Sequence, residues 1–160
     1  MSEETNQAGE QAQQHFELQK IYLKDASFET PNSPACFTQD WQPNVNIQLN
    51  TEAKGVADNQ YEVVLSVTVT ASNQDKTAFL VEIQQAGIFV INGFEKEQLR
   101  GMLGSFCPNI LFPYARETIS DMVTRGGFPQ LLLNPVNFDA LYAEHMKQEA
   151  EQTAETSTTH

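Results

Sequence analysis

Apolar and polar residues alternate with a period of two along four stretches in the first part of the chain, a pattern typical of half-buried β-strands. The alternation is clearest in YEVVLSVTVTAS, where one face carries Tyr61, Val63, Leu65, Val67, Val69 and Ala71. The opposite, polar face carries Glu62, Ser66, Thr68, Thr70 and Ser72, with Val64 as the exception. The other three predicted strands are HFELQKIYLKDASFE, VNIQLNTEAKGV and KTAFLVEIQQAGIFVI. The short link SNQD and the one polar face favour an antiparallel sheet.

Acidic residues lie in the first and the last of the predicted strands. In the last strand, the pattern assigns Leu80 and Glu82 to the solvent face and Val81 to the buried face. In the first strand, Asp25 and Glu29 are four residues apart and share a face if no bulge intervenes. Taken alone, these carboxylates are expected to be solvated surface charges.

The period changes to that of helices in the second part of the chain. EKEQLRGMLG predicts a short helix weakened by its two glycines. The next helix is predicted to begin at Pro113 and to end at Gly126 and Gly127. The last helix is predicted to follow an N-cap at Asn137. Strands followed by helices predict an α+β fold with the helices on one face of the sheet.

Composition divides the chain into one folded domain and two tails. Residues 1–14 and 149–160 are polar and lack large apolar residues in a periodic pattern, which predicts a disordered N-terminal tail and a disordered acidic C-terminal tail around a domain at 15–148. The N-terminus has neither a basic start nor an apolar core typical of a secretory signal. No apolar run approaches the length of a membrane span. These features predict a cytoplasmic protein.

The charge and the motifs exclude several function classes. The formal net charge is -12, from 21 acidic and 9 basic residues, which disfavours binding to nucleic acid. Phosphate-binding glycine loops and nucleophile motifs are absent, and neither the two cysteines nor the histidines have metal-ligand spacing. We therefore predict no catalytic residue, cofactor or metal, and a protein that acts by binding. The residues alone leave open what it binds.

Several long strings carry a resemblance to a known family. CPNILFPYARE and FPQLLLNPVNFDAL, together with YEVVLSVTVTAS and TAFLVEIQQAGIF, resemble the SecB family of bacterial protein-export chaperones. IYLKDASFETPN and DWQPNVNIQLN fit the same family. The resemblance covers roughly residues 16–147. At Val81 family members often carry Cys, a replacement of similar volume.

The resemblance implies a fold, an assembly and a function. SecB-like proteins are homotetramers, arranged as a dimer of dimers, in which each subunit contributes a four-stranded antiparallel sheet and two helices. They hold unfolded precursor proteins in a translocation-competent state in the cytoplasm without using ATP. They then deliver these clients to the SecA ATPase at the membrane, and they do not insert into the membrane themselves.

Two sites follow from the resemblance. The prolines of GSFCPNILFP are expected to keep this segment out of regular structure, so that it arches over a client-binding channel. The predicted lining of that channel is Trp41, Phe112, Tyr114, Phe138, Leu141 and Tyr142. The family binds the small, basic, zinc-holding C-terminal segment of SecA on its outer sheet face, with the zinc held by SecA. The matching positions here are Asp25, Glu29, Leu80 and Glu82.

Two other functions remain as alternatives at this point. One is an enzyme that uses the same apolar cleft for a hydrophobic substrate, such as an isomerase, although no acid/base pair lies beside the aromatic residues. The other is a dedicated SecB-like adaptor that serves a single partner such as an antitoxin. A narrow client range would favour the adaptor.

Overall fold

The computed structural model describes residues 13–157, which form a four-stranded sheet with helices on one face. The strands are β1 His15–Glu29, β2 Asn44–Ala57, β3 Gln60–Asn73 and β4 Lys76–Asn92. The helices are α1 Lys96–Gly101, α2 Cys107–Arg125 and α3 Phe138–Ser157, with a π-helical turn at Met102–Phe106 and a 3-10 turn at Ala35–Thr38. The four predicted strands and the α+β fold are confirmed.

The sheet is antiparallel throughout and has the strand order β1-β4-β3-β2, so β1 and β2 are its edges. The turn between β3 and β4 is tight because Gln74 and Asp75 both adopt positive φ angles, of 51° and 61°. Two central residues with positive φ match the twist of an antiparallel hairpin. The outer strands therefore flank a central hairpin made of β3 and β4.

The core lies between the inner face of this hairpin and α2. Val67 of β3 and Val81 of β4 are fully buried there. From α2, the stripe that includes Ala115, Ile119 and Val123 is also fully buried. The predicted inner face is thus the true one, and the apolar area that it removes from water stabilises the contact between sheet and helix.

The segment GSFCPNILFP is helical, so the prediction that it forms an irregular crossover is wrong. It comprises the end of the π-helical turn and the start of α2, which begins at Cys107 rather than at Pro113. Pro108 directly follows the π-helical turn inside an unbroken run of helical residues, and a π-helical turn is a place where a helix accommodates a lost backbone hydrogen bond. Pro113 and Asn109 are both exposed, so the lost hydrogen bond between Pro113 and the Asn109 carbonyl falls on the solvent-facing side of α2. Burial of Leu111 and neighbouring residues against the sheet offsets the lost hydrogen bond.

Two predicted helix ends are confirmed by their backbone geometry. Gly127 has a φ of +88° after the last residue of α2, which is the left-handed conformation that favours glycine. The Asn137 side-chain oxygen accepts a hydrogen bond of 3.0 Å from the Ala140 N–H at the start of α3. The Asn137 side chain thus accepts a hydrogen bond from a backbone N–H that the start of α3 leaves free. The left-handed conformation of Gly127 ends α2.

The last helix extends past the predicted domain boundary at residue 148. It continues to Ser157, through a stretch assigned by sequence to a disordered tail. Alanine, glutamate and glutamine, which make up much of this stretch, favour helix. The predicted tail segments 1–12 and 158–160 lie outside the described residues.

Candidate binding surfaces

A cavity of about 680 Å³ lies between the inner face of β2 and the start of α3. It exists because α2 packs mainly on the central hairpin and leaves the inner face of edge strand β2 uncovered, with Ile47 44% exposed. The apolar part of its wall is formed by Ile47, Leu49, Leu103, Phe138, Leu141, Tyr142 and Met146. Charged side chains, Arg100 and Glu149, lie beside this wall. We call this cavity the β2–α3 groove.

Contacts with the π-helical turn fix the first part of α3. The ring of Tyr142 lies against Gly104, so close that a Cβ atom at Gly104 would be 2.5 Å from the ring. The Ser105 hydroxyl donates a hydrogen bond to the Asp139 carboxylate. These two contacts hold α3 against the turn, and Leu103 and Gly104 of that turn line the groove together with α3.

The structure brings together only part of the predicted channel. Leu141 and Tyr142 line the β2–α3 groove, and so does Phe138, although Phe138 is itself 4% exposed. Phe112 is a core residue behind the groove, with its ring centroid 5.8 Å from that of Phe138. Tyr114 does not line the groove and is 48% exposed on another side of α2.

Trp41 lies in a separate aromatic cluster. Its ring centroid is 5.4 Å from that of Phe128, which also contacts Phe37 and Phe79. This cluster is beyond the end of α2 and shares no lining residue with the β2–α3 groove. Trp41 therefore remains a predicted client contact on a different surface from Leu141.

Sequence reasoning missed the β2 side of the groove. Ile47 and Leu49 belong to an alternating apolar pattern, and such a pattern alone suggests residues covered by a helix. These side chains are accessible to solvent because β2 lies at the sheet edge, where α2 does not cover it. The alternating pattern does not indicate which strand lies at the edge of the sheet.

The outer face of the sheet brings the other four predicted residues together. Glu29 pairs directly with Leu80, and Glu82 pairs with Ser27 in the next row. Asp25 pairs with Gln84 in the row after that. Directly paired residues of antiparallel strands project to the same side. The exposed carboxylates of Glu29 and Glu82 thus lie next to the half-buried Leu80 on this acidic outer face, and the exposed Asp25 carboxylate lies two rows away.

A buried charge cluster lies on the same outer face, beside these rows. Glu62 of β3 is 7% exposed although the alternation predicts a solvent position. Lys24 donates to it at 2.8 Å, the Tyr22 hydroxyl donates to it as well, and Lys54 Nζ lies 3.7 Å away. The hydrogen bond from Lys24, followed by that from Tyr22, lowers the pKa of Glu62 from its ordinary value. Burial and the hydrogen bond to Glu62 raise the pKa of Tyr22 to about 12.

The described residues offer little for chemistry. Burial raises the pKa of the Cys107 thiol to about 12, so this thiol stays protonated and unreactive, as expected for a residue used as a small buried hydrophobe. Within residues 13–157, no group of three or more His, Cys, Asp or Glu side chains is arranged to hold a metal ion. No helix in that range is long and apolar enough to cross a membrane.

Comparison with known proteins identifies relatives over nearly the whole chain. The family described as preprotein translocase subunit SecB matches residues 9–149. A protein-export protein SecB of Hahella chejuensis is 62% identical over 140 residues, covering 87% of this chain and 88% of that protein. The SecB of Nitrosococcus oceani is 58% identical, covering 92% of this chain and 90% of that protein. The SecB of Methylococcus capsulatus is 52% identical over the full length of both proteins.

A solved structure with the same fold is the Mycobacterium tuberculosis Rv1957 SecB-like chaperone in complex with a ChAD peptide from the Rv1956 HigA1 antitoxin. Its TM-score is 0.63 at 18% identity, covering 76% of this chain and 90% of that chain. At this identity the likeness concerns the fold. The family match and the relatives at 52–62% identity show that the chain belongs to the SecB family of protein-export chaperones.

Proposed function

We propose that this protein holds unfolded precursor proteins in the cytoplasm, without ATP, and delivers them to SecA for export. The observation that carries the proposal is the β2–α3 groove, a largely apolar cavity open to solvent in a protein of net charge -12. An unfolded chain differs from a folded one in its exposed apolar side chains and unpaired backbone. A surface that recognises both binds many clients without reading their sequence.

The groove has suitable walls for such a client. Leu141 is 47% exposed and Ile47 is 44% exposed, so both offer apolar area that a client side chain can cover. The half-buried ring of Tyr142 adds contact area at low conformational cost. Edge strand β2 adds backbone groups that can pair with an extended client segment.

The acidic outer face is proposed as the SecA docking site. Glu29 and Glu82 are exposed beside Leu80, and Asp25 is exposed two rows away, which suits a basic partner segment with one small apolar anchor. Groove and docking face lie on opposite sides of the same sheet. A client and SecA can therefore be bound at the same time, which delivery requires.

The working assembly is proposed to be a homotetramer, a dimer of dimers. Edge strand β1 leaves Leu18 and Leu23 37% and 48% exposed on the side of the sheet that carries the helices. Apolar side chains on an unpaired edge favour association with another copy. Several grooves on one assembly would engage one long client and raise the affinity through effective concentration.

The dedicated adaptor for a single antitoxin is the second candidate. The ChAD peptide is bound by the Rv1957 chaperone, which is 18% identical to this chain. The relatives named protein-export protein SecB are 52–62% identical, which favours export. Client range separates the two functions.

The test is the refolding of several unrelated precursor proteins, diluted from denaturant with and without this protein and with no nucleotide present. We expect a stoichiometric amount of the protein to arrest the refolding of most of them. Arrest of one client alone would favour the adaptor. Unimpeded refolding of all clients would contradict a holding function.

A further inference from the structure

The first strand contains a β-bulge immediately before the first residue of the acidic outer face. Leu23 pairs with Gln85 and Asp25 pairs with Gln84, so two steps along β1 correspond to one step along β4. Lys24 is the extra residue. With strict alternation from Leu23, Asp25 would project to the helix-covered side, because a shift of one residue exchanges the two faces. The bulge therefore decides the face on which the Asp25 carboxylate lies.

Contacts on both faces of the sheet hold this bulge. On the outer face, Lys24 and Tyr22 both donate to the Glu62 carboxylate of β3, so two β1 residues are tied across β4 to a third strand. On the inner face, the Gln85 side chain donates to the Tyr22 carbonyl at 3.1 Å. Glu62 is buried and so holds its partners in a restricted geometry, unlike an exposed ion pair.

We propose that Lys24, together with Tyr22 and Glu62, positions Asp25 for SecA by fixing the β-bulge. The inference rests on the proposed docking function of the acidic outer face. None of the three residues needs to touch SecA. Lys24 is therefore a positioning residue. Its positive charge by itself weakens the attraction of this face for a basic partner.

A substitution at Lys24 distinguishes a positioning role from charge attraction, because the two predict opposite changes in the affinity for SecA. Lys24→Gln removes a positive charge next to a site for a basic partner and leaves Glu62 with one fewer counter-charge. Coulombic attraction alone would therefore strengthen SecA binding. Loss of the bulge geometry would weaken SecA binding, because the Asp25 carboxylate would no longer be held on the outer face opposite Gln84.

Lys54→Gln is the matched control. Lys54 lies 3.7 Å from the same Glu62 oxygen that Lys24 contacts, but it belongs to β2, away from the bulge. Its removal changes the net charge by the same amount on the same face and leaves the 2.8 Å contact between Lys24 and Glu62 in place.

The experiment is titration calorimetry of purified SecA with the full-length protein and these variants at low salt. We expect Lys24→Gln to weaken binding by about threefold to tenfold, Lys54→Gln to leave it equal or slightly tighter, and Lys24→Arg to restore it. Combined with Asp25→Asn, Lys24→Gln should cause no further loss, because the residue it positions is already disabled. Client holding should be unchanged in every variant, which excludes general unfolding.

The outcomes separate the positioning role of Lys24 from the docking role of the acidic outer face. If Lys24→Gln binds SecA as tightly as the unmodified protein or more tightly, while Asp25→Asn weakens binding, the positioning role is wrong and the docking face stands. If Asp25→Asn has no effect either, the docking face is wrong and the positioning role falls with it. Hydrogen exchange over residues 20–29 of the free protein should also be faster in Lys24→Gln but not in Lys54→Gln, and equal exchange in the two would contradict the inference.

Discussion

Single residues show where simple alternation of faces fails. Glu62 is on the polar face of β3, as the period of two predicts, yet it is buried because Tyr22 and Lys24 cover it from β1. Leu141 shows the opposite case, since it belongs to an apolar helical stripe and is 47% exposed. In both cases the neighbours in space, and not the pattern along the chain, determine the environment.

The first prediction concerns Glu62 and acid. Because its pKa is lower in the folded protein than its ordinary value of 4.5, its ion pair stabilises the fold above that pH and this contribution is lost as the pH falls through the folded pKa. Glu62→Gln should lower the free energy of unfolding by about 1–3 kcal/mol near neutral pH. The difference from the unmodified protein should shrink as the pH falls below 4.5, because the Glu62 carboxylate of the unfolded chain takes up a proton there before that of the folded protein does.

Denaturant unfolding of both proteins at a series of pH values measures this difference. Glu52→Gln serves as the control, because Glu52 is an exposed carboxylate on the same outer face. A difference for Glu62→Gln that stays constant from neutral to acid pH would show that its ion pair does not stabilise the fold.

The second prediction concerns Leu141 and client holding. Leu141→Asn should weaken the arrest of client refolding several-fold, because it places a polar group in the apolar wall of the β2–α3 groove. Stability should change by less than about 0.5 kcal/mol, since the side chain is already half exposed. Leu132→Asn is the matched control at a leucine that is 67% exposed outside the groove. Equal losses in the two variants would argue against the groove as the client site.

At the scale of elements, the π-helical turn between α1 and α2 determines how α3 sits. Gly104 lets the Tyr142 ring come close to the turn, whereas a Cβ atom at Gly101, one turn earlier, would be 4.0 Å from the same ring. These glycines lower the helix propensity of the segment. The structure shows that the missing side chain of Gly104 leaves room for the Tyr142 ring of α3.

The third prediction compares these two glycines. Gly104→Ala should displace the Tyr142 ring and reduce client holding, with a loss of stability of about 1–3 kcal/mol. Gly101→Ala should be neutral or slightly stabilising, because its added methyl group makes an ordinary contact and alanine favours helix. Thermal unfolding and the refolding assay measure both effects. Unchanged holding in Gly104→Ala would mean that Tyr142 does not set the groove.

Much of the fold was predictable at this scale, and part of the groove was not. The period of two located all four strands, and the Asn137 cap located the start of α3. The prolines of GSFCPNILFP misled, because a helix accommodates proline next to a π-helical turn, as at Pro108, and on an exposed face, as at Pro113. The β2 wall was missed because a local pattern does not reveal which strand lies at the sheet edge.

At the scale of the whole molecule, the sheet separates two surfaces by its thickness. The β2–α3 groove lies on the inner side and the acidic rows of Asp25, Glu29 and Glu82 lie on the outer side. The two surfaces share no residue. Holding a client and docking to SecA are therefore expected to be independent in their sensitivity to mutation.

The fourth prediction concerns assembly. We expect a homotetramer of about 72 kDa, four times the chain mass of 17.9 kDa, with closed symmetry. Sedimentation equilibrium across the micromolar range measures the mass directly. A stable monomer at those concentrations would contradict both the tetramer and the joint use of several grooves by one client.

The measurement that tests the central claim most directly is release of a held client by SecA. A slow-folding precursor is first arrested by the protein or by its Glu82→Lys variant, and purified SecA is then added while refolding or transfer is followed. Both forms should arrest the client equally, and SecA should take it from the unmodified protein far more readily than from Glu82→Lys. If Glu82→Lys loses holding and release together, or loses neither, the two surfaces do not have the separate roles assigned to them.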